Sequence, residues 1–314
     1  MSTLRSIEGF RNVIPDSLDL DEYAEVERKQ TVRPAGYYRQ RVKDSIFRKG
    51  EGVGLEMPWL SLRGKVKLRP GELSVWTGYK GHGKSLMLSQ VMLHGMVEGE
   101  RPLILSPEFR AEMVLERKLR QSRGAILTEQ YADEWFAWAN QSLWLFDHQG
   151  TIDVRTVLSV LRYAREKFGI TQAVVDSLMK CGIAPDDFQA QKSFVDALQT
   201  FAHDTGCHVH LVAHARKGGS DTKDHKPAEG HDVKGTSEIC DMAENVFSVW
   251  KNKRKLQAKS VDNPERDGEP DALLLVDAQR NGDWTGMLKL RFQPCGQYTD
   301  SLASDAYTYF GDES

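Results

Sequence analysis

The chain has 314 residues, a formal net charge of −3, and 40% hydrophobic and 28% charged positions. That length suffices for one large core with appendages, and the near-balanced charge excludes the overall basic character of many nucleic-acid binders without excluding a basic channel. Four cysteines without C-x-x-C spacing exclude a zinc ribbon or dense disulfide framework, and no apolar run reaches the roughly 18 residues of a membrane span. A soluble, cytoplasmic chain with no membrane partner is expected.

Residues 1–53 read as an arm and linker, rich in charge and poor in consecutive apolar positions. Tyr38, Val42 and Ile46 recur at four-residue spacing among Arg39, Arg41, Lys43 and Arg48, which predicts a short basic helix over 37–49 with one apolar stripe, ended by Gly50. Such a stripe needs cover, from the chain's own body or from a neighbouring subunit.

From Leu73 the pattern changes to short apolar strands alternating with helical stretches. Strands are predicted at Leu73–Thr77, Leu103–Leu105, Leu143–Phe146, Ala173–Val175 and Val209–Ala213. Helices are predicted around 84–98, 111–122, 153–168 and 189–204. This order predicts an α/β fold whose mostly parallel sheet is flanked by helices. Further strands near 245–250, 272–277 and 286–292 predict an antiparallel extension, the last two forming a hairpin around Asn281-Gly282-Asp283. The core thus covers 54–297, and 298–314 reads as a polar tail.

Gly78, Tyr79, Lys80, Gly81, His82, Gly83, Lys84 and Ser85 match the full G-x-x-x-x-G-K-S spacing, between the strand SVWT and the helix SLMLSQVMLHGM. Glycines there allow tight turns, loop amides face phosphate, Lys84 reaches the outer phosphates and the Ser85 hydroxyl can ligate magnesium. A P-loop ATPase using ATP and Mg²⁺ is the expectation, against the plain alternative of a glycine-rich turn. An acid at a strand end should support the metal: Asp176 in QAVVDS is preferred to Asp147 in LWLFD because its strand is more continuously apolar. Glu108, after the strand PLIL, can orient or deprotonate the attacking water if the neighbouring strand delivers it to the same crevice; helix capping is the alternative.

Together these motifs resemble the RecA-like ATPase domain of replicative hexameric DNA helicases, the group holding the bacterial replicative helicase, the helicase half of phage primase-helicases and Twinkle. The resemblance runs from about Gly54 to Pro294. It implies Glu108 in SPEF as catalytic base, Asp176 in VVDS as the magnesium-side acid and His214 in LVAHARK as a γ-phosphate sensor. It also implies that Arg280 in DAQRNGDWTG reaches the ATP of the adjacent subunit in a hexameric ring. Loop 215–235 is long, polar and glycine-rich, and its Lys217, Lys223, Lys226 and Lys234 read either as a DNA-binding channel loop or as plain surface; HDVKGTSEICDMAENVF resembles the segment after a DNA-binding loop, which favours contact with single-stranded DNA, particularly at Lys234 and Gly235. The implied function is unwinding of forked duplex DNA in replication, in a bacterial or phage-infected cytoplasm, with a separate primase or loader as a further partner.

Ala278 departs from the family's pattern, which places a lysine two residues before the finger arginine; the 251–259 stretch KNKRKLQAK is one source of a replacement cation. The chain also lacks a fused primase and the long helical N-terminal domain of the bacterial enzyme. A recombinase, an assembly ATPase and a nucleotide-switched loader remain alternatives. Loop 180–191, with Lys180, is a lesser DNA candidate. His208 and His210 alternate on one strand without a third ligand, so no zinc site is expected. The helical aromatics Trp135, Phe136 and Trp138 read as core or interface.

Overall fold

The computed structural model describes residues 19–23, 32–47, 54–215, 238–255, 268–303 and 305–311. In the arm, helix α1 (Arg39–Phe47) follows a 3₁₀ turn at Ala35–Tyr38. Tyr38, which ends that turn, and Val42 on the helix are exposed, and the Ile46 side chain lies outside the described residues. An earlier 3₁₀ turn, Leu20–Tyr23, packs on the body, where the Tyr23 ring meets Tyr163 edge-on and Arg162 donates to the Tyr23 carbonyl.

A two-stranded ribbon, β1 (Leu55–Glu56) with β2 (Lys67–Leu68), precedes the main sheet. That sheet has nine strands in the order β11-β10-β9-β8-β3-β7-β6-β4-β5. β3 (Leu73–Thr77), β4 (Pro102–Leu105), β6 (Gln172–Asp176) and β7 (His208–Val212) have every residue buried. Burial on both faces is why these strands read as continuous apolar runs rather than as alternating ones. β5 (Trp144–Phe146) closes the parallel part at one edge.

β8 (Asn245–Lys251) pairs parallel with β3, so the antiparallel extension begins one strand later than its neighbours in sequence suggest. β9 (Ala272–Gln279), β10 (Gly286–Phe292) and β11 (Tyr298–Thr299) then run antiparallel in succession. The β9–β10 hairpin turns through Asn281-Gly282-Asp283, where it was expected.

Helices cover both faces. α2 (Lys84–Val97) follows the phosphate loop, and α3 (Ala111–Gln121) and α4 (Glu129–Ala139) lie beyond β4. α5 (Val154–Phe168) buries Val157, Val160, Leu161, Ala164 and Phe168, the stripe that 3.6-residue periodicity predicts. Its Asp153 cap accepts from the Thr156 amide at 2.9 Å, and Gly169 ends it in the left-handed region. α6 (Phe188–Thr205) precedes β7, and the short α7 (Glu238–Met242) precedes β8. Trp135 is wholly buried, whereas Phe136 is exposed. Among the described residues no helix is long and apolar enough to cross a membrane.

The segment expected as a polar tail packs onto the body. Tyr298 and Tyr309 are buried, and Gln90 of α2 binds both ends of this segment, donating to the Tyr298 carbonyl and the Tyr309 hydroxyl while accepting from the Tyr298 amide. Its polar composition hid two aromatic anchors.

Candidate active site

Parallel strands deliver their carboxyl ends to one edge of the sheet, and the loops there converge. β3 ends in the phosphate loop. Gly78, Gly81 and Gly83 have φ of 137°, 79° and 89°, in the range that L side chains resist. A Cβ on Gly78 would fall 2.3 Å from the Val249 carbonyl oxygen, and one on Gly83 would fall 2.4 Å from the Tyr298 hydroxyl. Gly78 and Gly83 are required both by conformation and by close packing.

The side chains of the loop divide by direction. Lys80 is exposed, whereas Tyr79 and His82 are buried. His82 Nδ1 accepts from the Lys251 amide at 3.1 Å, which ties the loop to the end of β8. His82 therefore contributes its backbone to the cradle while its ring serves as a brace. Lys84 is buried, and its ammonium donates to the carbonyls of Gly78 at 2.8 Å and Tyr79 at 3.0 Å. Burial lowers its pKa to about 8, against the opposing pull of Asp176 and Glu108.

Asp176 stands at the end of β6 and is buried. Burial pushes its pKa up, while a hydrogen bond from Ser85 and the charge of Lys84 oppose that rise. The hydroxyl and the carboxylate that magnesium needs are thus paired across the first turn of α2. Asp147, the rival acid, is exposed at the end of edge strand β5.

Glu108 reaches the crevice by a different route from the one expected. β4 is not the neighbour of β3, because β7 and β6 lie between them. The loop after β4 instead carries Glu108 back over the ends of those strands, where Ser177 Oγ donates to its Oε1 at 2.9 Å and His214 Nε2 stands 3.7 Å from the same oxygen. His214 first, then Ser177 and the charge of Lys180, hold the Glu108 carboxyl down at about 2 against its partial burial. Glu108 is ionised at any physiological pH. Ser177 was not anticipated as its anchor; its place directly after the strand-end acid was the available signal.

This arrangement fits a nucleoside triphosphate with magnesium. The loop backbone is shaped for close approach, the Ser85–Asp176 pair offers two hard oxygen donors, and His214 Nδ1 is a buried nitrogen with no hydrogen-bond partner among the described residues.

The other expected residues lie elsewhere. Lys217, Lys234 and Gly235 are outside the described residues. Arg280 follows β9, whose end pairs with the start of β8: Asn245 opposes Gln279, and Lys251 opposes Ala272. Since Lys251 touches the phosphate loop, Arg280 sits at the far end of a seven-residue strand, roughly 20 Å away at about 3.3 Å per residue. The basic stretch after β8 starts at the loop end, so its described part is remote from Arg280 and is no replacement for a lysine at Ala278. Within it Lys255 turns inward, 3.0 Å from Asp271. His208 and His210 are buried, their ring nitrogens engaged by Ser74, the Arg69 carbonyl, Trp76 and Gln172.

Comparison with known proteins agrees with this architecture. The solved ATPase domain of a phage helicase matches with a TM-score of 0.66 at 13% identity, covering 84% of this chain and 96% of that one. A second structure, of a DnaB-like replicative helicase described with its interactions with primase, matches with a TM-score of 0.68 at 12% identity, covering 85% of this chain and 68% of that one. At such identities the likeness is one of fold, the RecA-like fold of replicative-helicase ATPase domains. A family model described as an AAA domain matches residues 56–220. That span is more than half of the chain and contains the phosphate loop, Glu108, Asp176 and His214, and the chain belongs to this AAA domain family.

Proposed function

We propose that the chain is an ATP-driven, ring-forming DNA helicase that moves on single-stranded DNA and opens forked duplex during replication. One observation carries the reading. The hydrolytic groups Lys84, Ser85, Asp176, Glu108 and His214 gather at one end of the sheet, while Arg280 stands at the other, beyond reach of its own phosphate loop. An arginine so placed can serve a phosphate site only in a second copy.

On this reading Lys84 and the loop amides hold the outer phosphates, and Ser85 with Asp176 would hold magnesium. Bound magnesium supplies positive charge to the phosphate oxygens. Glu108, a carboxylate of low basicity, accepts a hydrogen bond from the attacking water and orients it toward the terminal phosphorus. His214, 3.7 Å from Glu108, reports the presence of that phosphate. Arg280 of the neighbour neutralises charge that develops in the transition state, which makes hydrolysis depend on assembly. The exposed Tyr38–Val42 face of the arm is available to the adjacent subunit, and the segment with Lys217, Lys234 and Gly235 is the proposed DNA contact.

The test is strand displacement on a forked duplex, with ATP hydrolysis measured with and without single-stranded DNA. Displacement that needs ATP, with hydrolysis raised severalfold by DNA, supports the proposal. Hydrolysis indifferent to DNA at every salt concentration would reassign the chain to an assembly ATPase.

A further inference from the structure

The end of the sheet that carries Arg280 holds a groove of about 570 Å³ lined by Lys67, Arg69, Glu72, His203, Glu244 and Asn281. Its two carboxylates are satisfied largely by neutral donors. Glu244 accepts from the Leu73 amide at 2.8 Å and from Gln199 at 2.7 Å. Glu72 accepts from Asn281 at 2.8 Å and Asn245 at 2.9 Å.

The basic side chains around them are correspondingly held at long range. His203 Nε2 is 3.6 Å and Arg280 Nη1 is 3.8 Å from the same Glu244 oxygen, and Arg69 Nη1 is 3.7 Å from Glu72. These separations exceed hydrogen-bond distance. Arg280 is steered from its other side, where Nη2 donates to the Asp241 carbonyl. Arg69 Nη1 is a buried nitrogen with no hydrogen-bond partner among the described residues, and the His203 and Arg280 side chains are 55% and 51% exposed. His203 on the groove wall and Arg280 beside it, both near Glu244, therefore present donor capacity open to a neighbour, and the partly exposed Arg69 guanidinium lines the same groove. Phosphate oxygens match that demand, because each accepts several hydrogen bonds from planar or charged nitrogen donors.

We infer that this groove is a phosphate-accepting half-site in which His203 and Arg69 act beside Arg280 on the terminal phosphate held by Lys84 of an adjacent copy, an inference that rests on the trans reading of Arg280. Glu244 is then a positioning residue. Fixed by a backbone amide, it keeps His203 and Arg280 side by side without binding either tightly. The charged groups facing His203 are Glu244 and Arg280, with Arg69, Glu72 and Lys67 lining the same groove.

The experiment uses the full chain as assembled rings, with oligomer mass verified, and measures DNA-stimulated ATP hydrolysis. His203→Gln is expected to lower kcat about tenfold or more, the loss of one charge-assisted hydrogen bond, with KM for ATP little changed because ATP rests in the other copy. His203→Lys should restore kcat. Mixing His203→Gln with Lys84→Ala should regain activity at interfaces that combine an intact histidine with an intact lysine. If His203→Gln keeps the wild-type kcat while Arg280→Ala loses hydrolysis, the half-site is wrong and the trans arginine stands. If Arg280→Ala rings hydrolyse ATP like wild type, both fall. A loss in His203→Gln that lysine does not restore marks a structural role and also overturns the inference.

Discussion

The two ends of the same sheet are built on opposite plans. At the carboxyl end one copy supplies the glycine cradle, its lysine, a hydroxyl–carboxylate pair and a second carboxylate braced by Ser177 and His214. At the other end the arginine and histidine reach toward one carboxylate at 3.6–3.8 Å and remain half exposed. The first end is desolvated, and burial perturbs its lysine and aspartate. The second is open. On the proposed reading, a complete buried site and an incomplete exposed one on one subunit suit a head-to-tail ring, because each interface then joins unlike halves.

The largest blow to the complete end is Lys84→Ala, which removes the cation facing the transferred phosphate. Hydrolysis should fall by about 10³ or more, with weakened nucleotide binding, measured by turnover and by nucleotide titration; wild-type turnover would refute the site. The matching blow to the incomplete end is Arg280→Ala, expected to cost about 10³ to 10⁵ in rate with ATP binding retained. Mixed with Lys84→Ala it should recover activity, and mixed rings that stay inactive would show that the two ends do not meet.

Glu108→Gln sharpens the division inside the complete end. Its shape is kept and its charge is lost, so ATP should still bind while cleavage drops by about 10² to 10⁴. Binding lost along with cleavage would mean that Glu108 serves to organise the loop. Because its carboxyl lies at about 2, below its usual value, it favours the folded state above the ordinary carboxylate range. That contribution fades as pH falls through the ordinary carboxylate range toward about 2.

Gly83→Ala separates packing from conformation. Its φ of 89° strains any side chain, and the Tyr298 hydroxyl adds a clash at 2.4 Å. A loss of about 1–3 kcal/mol in stability is expected. Adding Tyr298→Phe should return only the part due to the clash, and full recovery in thermal melts would deny the backbone strain.

The smallest effect concerns Lys118, wholly buried behind the phosphate helix, where its ammonium donates to the Ser89 carbonyl. Burial lowers its pKa from 10.5 to about 7. The unfolded chain therefore binds the extra proton between these values, and stability should rise with pH from about 7 to 10.5. Lys118→Met should raise the melting temperature at neutral pH by a few degrees and flatten that rise. An unchanged slope would locate the titration elsewhere.

Local pattern made much of this legible. The phosphate loop could be read because its glycines, lysine and serine are consecutive and their demands are met within one strand-to-helix turn. Asp176 was legible because a buried parallel strand is a continuous apolar run and its polar terminus stands out against it. Glu108 was named correctly as a residue at that edge, but not its path, since strand order depends on which helices cross which face. Tyr298 and Tyr309 were missed because two buried rings in a polar stretch carry no periodicity.

The amino-acid sequence alone determined where the main core strands and helices form and which end of the sheet carries the phosphate loop, because helical and extended periodicity and close backbone turns are short-range properties. Only the tertiary structure decided that β8 joins the parallel set, that His82 faces inward, and that Arg280 stands roughly 20 Å from its own loop beside His203 and Glu244. Those residues come from helix α6, the approach to β8 and the end of β9, and no rule of local spacing relates them; burying the apolar faces of the sheet beneath its helices is what brings them to one groove.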